Sequence, residues 1–118
     1  MTDFRRSGHS DTERFPESDW KVFRAVHANA LERYCSGVLQ ECRLTIEDVT
    51  LTAHERYVRL YRSLGERNKE IAATFDDPRR SRALLVLVMM IRLDVVTAEE
   101  LGRFSRGVRE RAVELANL

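Results

Sequence analysis

Nine consecutive apolar residues, Ala83–Ile91 (ALLVLVMMI), limit the folds open to this 118-residue chain more than any other feature. A continuous apolar run is typical of a buried strand or a buried helix, so its flanks must decide between them. Asp77 and Pro78 precede the run as an N-cap side chain and a proline at the first helical position. The next start signal is Thr97, which leaves room for about four turns. The pattern predicts a helix over residues 78–94.

This third helix is too short to cross a membrane. A span needs roughly 20 apolar residues, whereas Arg82 and Arg92 enclose a run of nine. A helix that is apolar on all sides must be covered on all sides, either by the rest of the fold or by a second copy of the chain. We therefore expect a central position for helix three.

The composition predicts a soluble, all-α protein. Hydrophobic residues make up 43% of the chain and charged residues 33%, while only 5 Gly and 2 Pro are present, as in proteins with long helices and short connections. The length favours one helical domain, which we place at residues 16–118. Residues 1–15 are polar and without period, which predicts a disordered leader, although Phe15 could staple onto the first helix.

The N-terminal sequence and the two cysteines predict where the protein is located. The first residues contain no apolar segment of the kind found in a secretory signal, so we expect a cytoplasmic protein. Cys35 and Cys42 lie seven residues apart on one predicted helix, about 10.5 Å along its axis, which is too far for a disulfide between them. We expect two free thiols in a reducing compartment.

Two long amphipathic helices are predicted before the apolar run. Helix one spans residues 18–46, with Ser18 as its N-cap. Helix two spans residues 52–76 and opens with a capping box formed by Thr52 and Glu55. Each has an apolar stripe at helical spacing that we expect to be buried. The stripe of helix one includes Trp20, Phe23, Val26, Ala30, Leu31, Tyr34, Val38, Leu39, Cys42 and Ile46, and that of helix two includes Tyr57, Leu60, Tyr61, Leu64, Ile71, Ala72 and Phe75. Asn68 interrupts the second stripe.

A fourth helix is predicted over residues 97–116, beginning with a second capping box at Thr97 and Glu100. Four helices joined by short connections predict a compact four-helix bundle or an orthogonal four-helix domain with the apolar third helix at its centre.

No signature of catalysis or of cofactor binding is present in the sequence. Phosphate-binding loops, nucleophile elbows and the common zinc motifs are missing, which favours a protein that is not an enzyme. His27, Cys35 and Cys42 share one side of helix one, but they are too widely spaced to bind one metal ion without further ligands. We expect no catalytic residues, no cofactor and no metal site.

The two sides of helix three predict self-association. One side carries Leu84, Leu87, Val88 and Ile91, and the other carries Val86, Met89, Met90 and Leu93. Because large exposed apolar patches are rare on monomers, we expect a symmetric dimer. We assign its interface to the second side, since thioether side chains adapt well to contact surfaces. The predicted function is that of a small interaction or regulatory protein acting as a homodimer, with another protein as a further candidate partner.

Two clusters of arginine residues support a different function. Arg79, Arg80 and Arg82 begin helix three, and Arg103, Arg106 and Arg109 lie on helix four, where they could contact phosphates. A nucleic-acid-binding regulator is therefore the alternative. We do not favour it, because the net charge is only +1 and glutamates alternate with the second cluster. A small-ligand-binding domain with a pocket between helices is the further alternative.

Overall fold

The computed structural model describes residues 15–118, and this part of the chain is all-α, as predicted. Its α-helices are α1 (Glu17–Ile46), α2 (Ala53–Phe75), α3 (Ala83–Arg92), α4 (Ala98–Gly102) and α5 (Arg106–Ala116), and a 3-10 helix covers Arg80–Arg82. No strand occurs among these residues. Residues 1–14 of the leader predicted for residues 1–15 lie outside the described part.

Helices α1 and α2 form a long antiparallel hairpin. The capping box of α2 is confirmed, since Thr52 Oγ1 accepts the Glu55 N–H at 3.1 Å and the Glu55 carboxylate accepts the Thr52 N–H at 2.8 Å. Ser18 is not the N-cap of α1, because that helix already begins at Glu17 and Pro16 precedes it without a side-chain cap. An ion pair between Glu41 and Arg67 (3.2 Å) joins the two helices.

The apolar third helix begins five residues later than predicted. The Asp77 carboxylate accepts from the guanidinium of Arg79 (2.7 Å) instead of capping a helix at Pro78, and a 3-10 turn follows. The helix ends where Asp94 adopts a φ of 60°, a left-handed conformation that is common at helix C-termini. Helix α3 packs against α1, α2 and α5, which confirms its predicted central position.

The predicted fourth helix is two helices. Its capping box is confirmed, because Thr97 Oγ1 and the Glu100 carboxylate each accept the other residue's N–H at 3.0 Å. Helix α4 nevertheless ends at Gly102, and α5 starts after Ser105. Asp19 of α1 accepts hydrogen bonds from both the N–H and the hydroxyl of Ser105, each at 2.7 Å. A side chain 86 positions away thus fixes the start of α5, and the prediction of one continuous helix is wrong.

The core lies at the end of the hairpin where α3, α4 and α5 pack. Phe15, at the end of the predicted leader, is part of this core: its ring lies 5.8 Å from that of Phe23 and 6.1 Å from that of Phe104, at steep angles. The largest fully buried apolar side chains are Phe15, Phe23, Leu87, Met90, Val26 and Val86. We call this end of the hairpin its root and the end near the α1–α2 connection its tip.

The apolar stripes of α1 and α2 are buried at the root but not at the tip. Helix α1 has 30 residues, about 45 Å, whereas α3 has 10 residues, about 15 Å. The short helices therefore cannot cover the whole hairpin. The prediction that both stripes are buried along their full length is wrong at the tip, where Leu39, Ile46, Tyr57, Tyr61 and Leu64 are exposed, and at Ala72 near the root.

Candidate interaction surface

The arginine clusters are held by acceptors within the chain. Asp77 pairs with Arg79 and, at 3.7 Å, with Arg82, although the Nε atom of Arg82 has no hydrogen-bond acceptor. The other pairs are Arg80 with Glu17 (2.9 Å), Arg103 with Glu99 (3.8 Å), Arg106 with Glu110 (2.8 Å) and Arg109 with the Phe104 carbonyl (3.3 Å). Arg80 also donates to the carbonyl oxygen of Phe15, so it fixes the chain before α1. Arg80 therefore has a structural role, whereas Arg103 and Arg106 form pairs with exposed glutamates on the surface.

The four residues predicted to form an interface on helix three do not share one exposed surface. Val86 and Met90 are completely buried within the single chain, whereas Met89 and Leu93 are partly exposed. Two of the four side chains therefore cannot contact a second copy. A dimer remains a prediction, but its interface has to be sought elsewhere on the chain.

The tip of the hairpin exposes the large apolar side chains instead. The exposed fraction is 69% for Leu39, 52% for Ile46, 67% for Tyr57, 72% for Tyr61 and 37% for Leu64. Single exposed apolar residues are normal on protein surfaces, but groups of them mark interaction sites.

These five side chains lie on the same side of the hairpin, whereas Leu44, 59% exposed on α1, points to the side of Arg33. Arg33 on α1 and Glu70 on α2 line one cavity with the segment 92–95, which covers the opposite side. At 100° per residue, the exposed residues of α1 point about 120 to 140° away from Arg33, and those of α2 about 120 to 180° away from Glu70. Ile46 and Tyr57 also border a common groove. The two sets therefore form one surface.

We call this surface the hairpin face. On α1 it comprises Ala28, Cys35, Leu39, Cys42 and Ile46, and on α2 it comprises Tyr57, Tyr61, Leu64, Asn68 and Ala72. None of these ten residues is charged, in a chain in which 33% of the residues are. Glu32 and Arg43 border the face on the outer edge of α1, and Arg62 and Lys69 border it on α2. An uncharged face with a charged rim is typical of a protein interface.

The size of the exposed apolar area supports the same interpretation. Taking about 200 Å² for a whole aromatic side chain, the two tyrosines expose about 280 Å². The three aliphatic side chains add about 150 Å² if each has about 100 Å² in full. The total, about 430 Å², lies within the range of roughly 300–600 Å² for the largest patch on a monomer, which is often functional.

The opposite side of the hairpin is fixed by polar contacts. The Glu100 carboxylate binds the guanidinium of Arg33 (3.0 Å) and the side-chain amide of Asn29 (3.1 Å). Burial raises the pKa of Glu100, but the hydrogen bonds from Arg33, from the Thr97 N–H and from Asn29 outweigh it and lower that pKa to about 2. Nearby, burial and a hydrogen bond to Glu70 raise the pKa of Tyr34 to about 12. These contacts hold α1, α2 and α4 together and leave the hairpin face free.

The three residues of α1 considered as metal ligands, His27, Cys35 and Cys42, do not surround a common site. His27 packs between the rings of Phe23 (5.6 Å) and Phe75 (5.4 Å). Burial lowers the pKa of His27, and a hydrogen bond to the Phe75 backbone opposes this only partly, so the imidazole is neutral at pH 7. Cys35 and Cys42 are free thiols on the hairpin face. Among residues 15–118, no three His, Cys, Asp or Glu side chains lie close enough to hold a metal ion.

A shallow cavity between α1 and the α2–α3 connection relates to the ligand-binding alternative. It has a volume of about 360 Å³ and is lined mainly by Trp20, Phe23, Arg24, His27 and Pro78. The Trp20 and Phe23 rings are stacked at 5.6 Å, and the Arg24 guanidinium lies 5.5 Å from the centre of the Trp20 ring. Arg79 on its rim pairs with Asp77, whereas the Nε2 atom of His27 is buried without a hydrogen-bond partner, so this cavity is the place in the fold that fits the ligand-binding alternative.

The residues of the hairpin face were known from the sequence, but their exposure was not. Leu39, Ile46, Tyr57 and Tyr61 fit helical apolar stripes, and such stripes usually belong to a core. The missed signal is helix length. Helices one and two are longer than helices three and four, so the ends of their stripes extend beyond any partner within the chain.

The fold and this surface define an all-α protein with a long helical hairpin on a base of short helices. No protein family, curated protein or solved structure matches the chain. In the described part of the chain, none of the helices combines the length and the hydropathy that a membrane crossing requires.

Proposed function

We propose that this chain is a small, non-enzymatic interaction protein that acts as a homodimer through its hairpin face. The observation that carries the proposal is the group of five exposed apolar side chains, Leu39, Ile46, Tyr57, Tyr61 and Leu64, on one uncharged face. A symmetric dimer brings the same surface of both copies together. A face without charge suits this arrangement because no like charges meet at its centre.

The exposed apolar area supports self-association. A dimer removes this surface from water, which is the dominant favourable contribution to most protein association, whereas each copy alone keeps it exposed.

The proposal also includes the cellular compartment in which the protein resides. Cys35 and Cys42 are partly exposed free thiols on the proposed interface. Thiols of this kind persist in reducing compartments, so cytoplasmic residence is part of the proposal.

The test is the solution mass of the protein and of two matched variants. Tyr61→Asp places a charge among the exposed apolar side chains of the face, and we expect a monomer with unchanged helical circular dichroism. Leu85→Asp is the control, because Leu85 is 52% exposed on α3, away from the face. We expect that variant to remain a dimer. A wild-type protein that sediments as a monomer at high micromolar concentration would refute the proposal.

A further inference from the structure

The two ends of the hairpin face differ in side-chain volume. The tip half carries Leu39, Ile46, Tyr57, Tyr61 and Leu64, all large and exposed. The root half carries Ala28, Cys35 and Ala72, which are small, beside the partly buried Leu31, and Asn68 lies between the two halves. A protrusion at one end and a depression at the other make the face complementary to itself only when one copy is reversed.

Contacts between α1 and α2 give the register of the face. Tyr34 donates to Glu70, Glu41 pairs with Arg67, and Arg56 donates to the Ile46 carbonyl. Residues of α1 and α2 at equal height therefore have numbers that add up to about 105. Asn68 lies level with Gly37, midway between Ala28 and Ile46. The polar side chain that interrupts the apolar stripe of α2 is thus at the middle of the face.

We infer that a second copy docks on the hairpin face with its tip pointing the opposite way, so that the two hairpins form a four-helix bundle. The inference rests on the proposed homodimer and specifies its geometry. The two-fold axis passes close to Asn68, and α1 of one copy packs antiparallel on α1 of the other. The tip half of each copy then covers the root half of its partner.

Volume favours this orientation. With the axis at the height of Asn68, Leu39 lies opposite Cys35 of the second copy, Ile46 opposite Ala28, and Leu64 opposite Ala72. These three large side chains each meet a small one, as close packing requires. Tyr61 and Tyr57 lie level with Phe75 and Arg79 of the second copy, at and beyond the end of its α2. With both tips at the same end, large side chains would meet large ones and the root halves would leave a gap.

The charges on the rim of the hairpin face also favour the reversed orientation of the second copy. Glu32 and Arg43 are both exposed on the outer edge of α1, and neither has an ion-pair partner within residues 15–118. In the reversed orientation Glu32 lies opposite Arg43 of the second copy, and the symmetry produces this pair twice. With the tips together, Arg43 would instead lie level with Arg62 of the second copy, and the like charges would repel.

The polar residue at the centre fits the same geometry. Asn68 of each copy lies next to Asn68 of the other, and an amide has both a donor and an acceptor, so the two can hydrogen-bond to each other. A polar residue in an apolar helix interface fixes register and orientation, because any shift leaves its amide unpaired.

Cross-linking tests the orientation directly. In a Cys35→Ser, Cys42→Ser background, we expect Asn68→Cys to form a covalent dimer rapidly with a short bis-maleimide. Tyr61→Cys in the same background is the control. Its two copies would be 14 helical residues apart, about 21 Å, so they should not react with each other. Efficient cross-linking of Tyr61→Cys, or a non-covalent dimer that Asn68→Cys does not cross-link, would overturn the reversed orientation.

Charge exchange provides a second test that needs no cysteine. Glu32→Arg and Arg43→Glu should each raise the dimer dissociation constant about tenfold, and the double exchange should restore it to within about threefold. Arg62→Glu is the control and should have little effect. If Arg62→Glu lowers the dimer dissociation constant and the double exchange fails to restore the wild-type value, the hairpins associate with their tips together. A wild-type monomer would refute the proposed function itself, whereas these two results refute only the geometry.

Discussion

The Glu100 side chain shows how one carboxylate joins two helices through contacts with three residues. It caps α4 through the Thr97 N–H and binds Arg33 and Asn29 of α1, while it is almost fully buried. The sequence predicted only the first of these contacts, since a capping box is a local pattern. The partners on α1 are about 70 positions away, and no local pattern indicates them.

The depressed pKa of Glu100 predicts a pH-dependent stability. Because its pKa falls from an ordinary 4.5 to about 2 on folding, the stabilisation is complete above about pH 4.5 and is lost as the pH decreases to 2. We expect Glu100→Gln to lower the free energy of unfolding at pH 7 by roughly 2 kcal/mol, since Arg33 keeps some access to water. The variant should also reduce the change between pH 5 and pH 2. Urea unfolding at several pH values measures both effects.

The neighbouring Glu99 supplies the control for this experiment. Its side chain is 83% exposed and pairs only loosely with Arg103. Glu99→Gln should leave both the stability and its pH profile nearly unchanged. Equal effects of the two substitutions would show that general charge, and not the Glu100 contacts, determines the acid sensitivity.

At the scale of helices, the capping boxes predicted two starts correctly, whereas the start of α3 and the division between α4 and α5 were not predicted. The capping boxes at Thr52 and Thr97 form as expected, because both partners of each box are three residues apart. The division between α4 and α5 was not predictable in this way. The apolar spacing of Leu101, Phe104 and Val108 continues across it, and the side chain that creates it belongs to Asp19 on α1.

Removing the Asp19 carboxylate should therefore loosen α5. In Asp19→Ala the N–H and hydroxyl of Ser105 lose their acceptor, so we expect a loss of about 2–3 kcal/mol in unfolding free energy. Ser18→Ala should cost less than about 0.5 kcal/mol, because Ser18 is exposed and caps no helix. Thermal or chemical unfolding of the two variants measures the difference. A loss in Ser18→Ala as large as that in Asp19→Ala would contradict this role for Asp19.

At the scale of the whole molecule, the chain has a core at one end and an exposed apolar face at the other. The sequence predicted an all-α fold, a central third helix and self-association, but it assigned the interface to that helix. Val86 and Met90 are already buried within one chain, whereas Tyr57 and Tyr61 remain exposed to water. Periodicity identifies which side of a helix is apolar, but it does not say which length of that side the rest of the chain can cover.

This arrangement predicts that the two ends of the hairpin differ in how they depend on dimerisation. The root is held by α3 and by the core around Phe23, so its amides should exchange slowly in monomer and dimer alike. The tip, residues 39–46 and 53–64, lies beyond Val38, the last side chain of α1 that packs on the core, so its protection should come from the second copy. We expect amide exchange at the tip to be about 10- to 100-fold faster in Tyr61→Asp than in the wild type, with α3 unchanged.

Dilution of the wild type below its dissociation constant should reproduce that pattern, because it removes the partner without altering the chain. Tip amides that stay equally protected in Tyr61→Asp and on dilution would mean that the hairpin is stable alone, and that its exposed face contributes nothing to the fold.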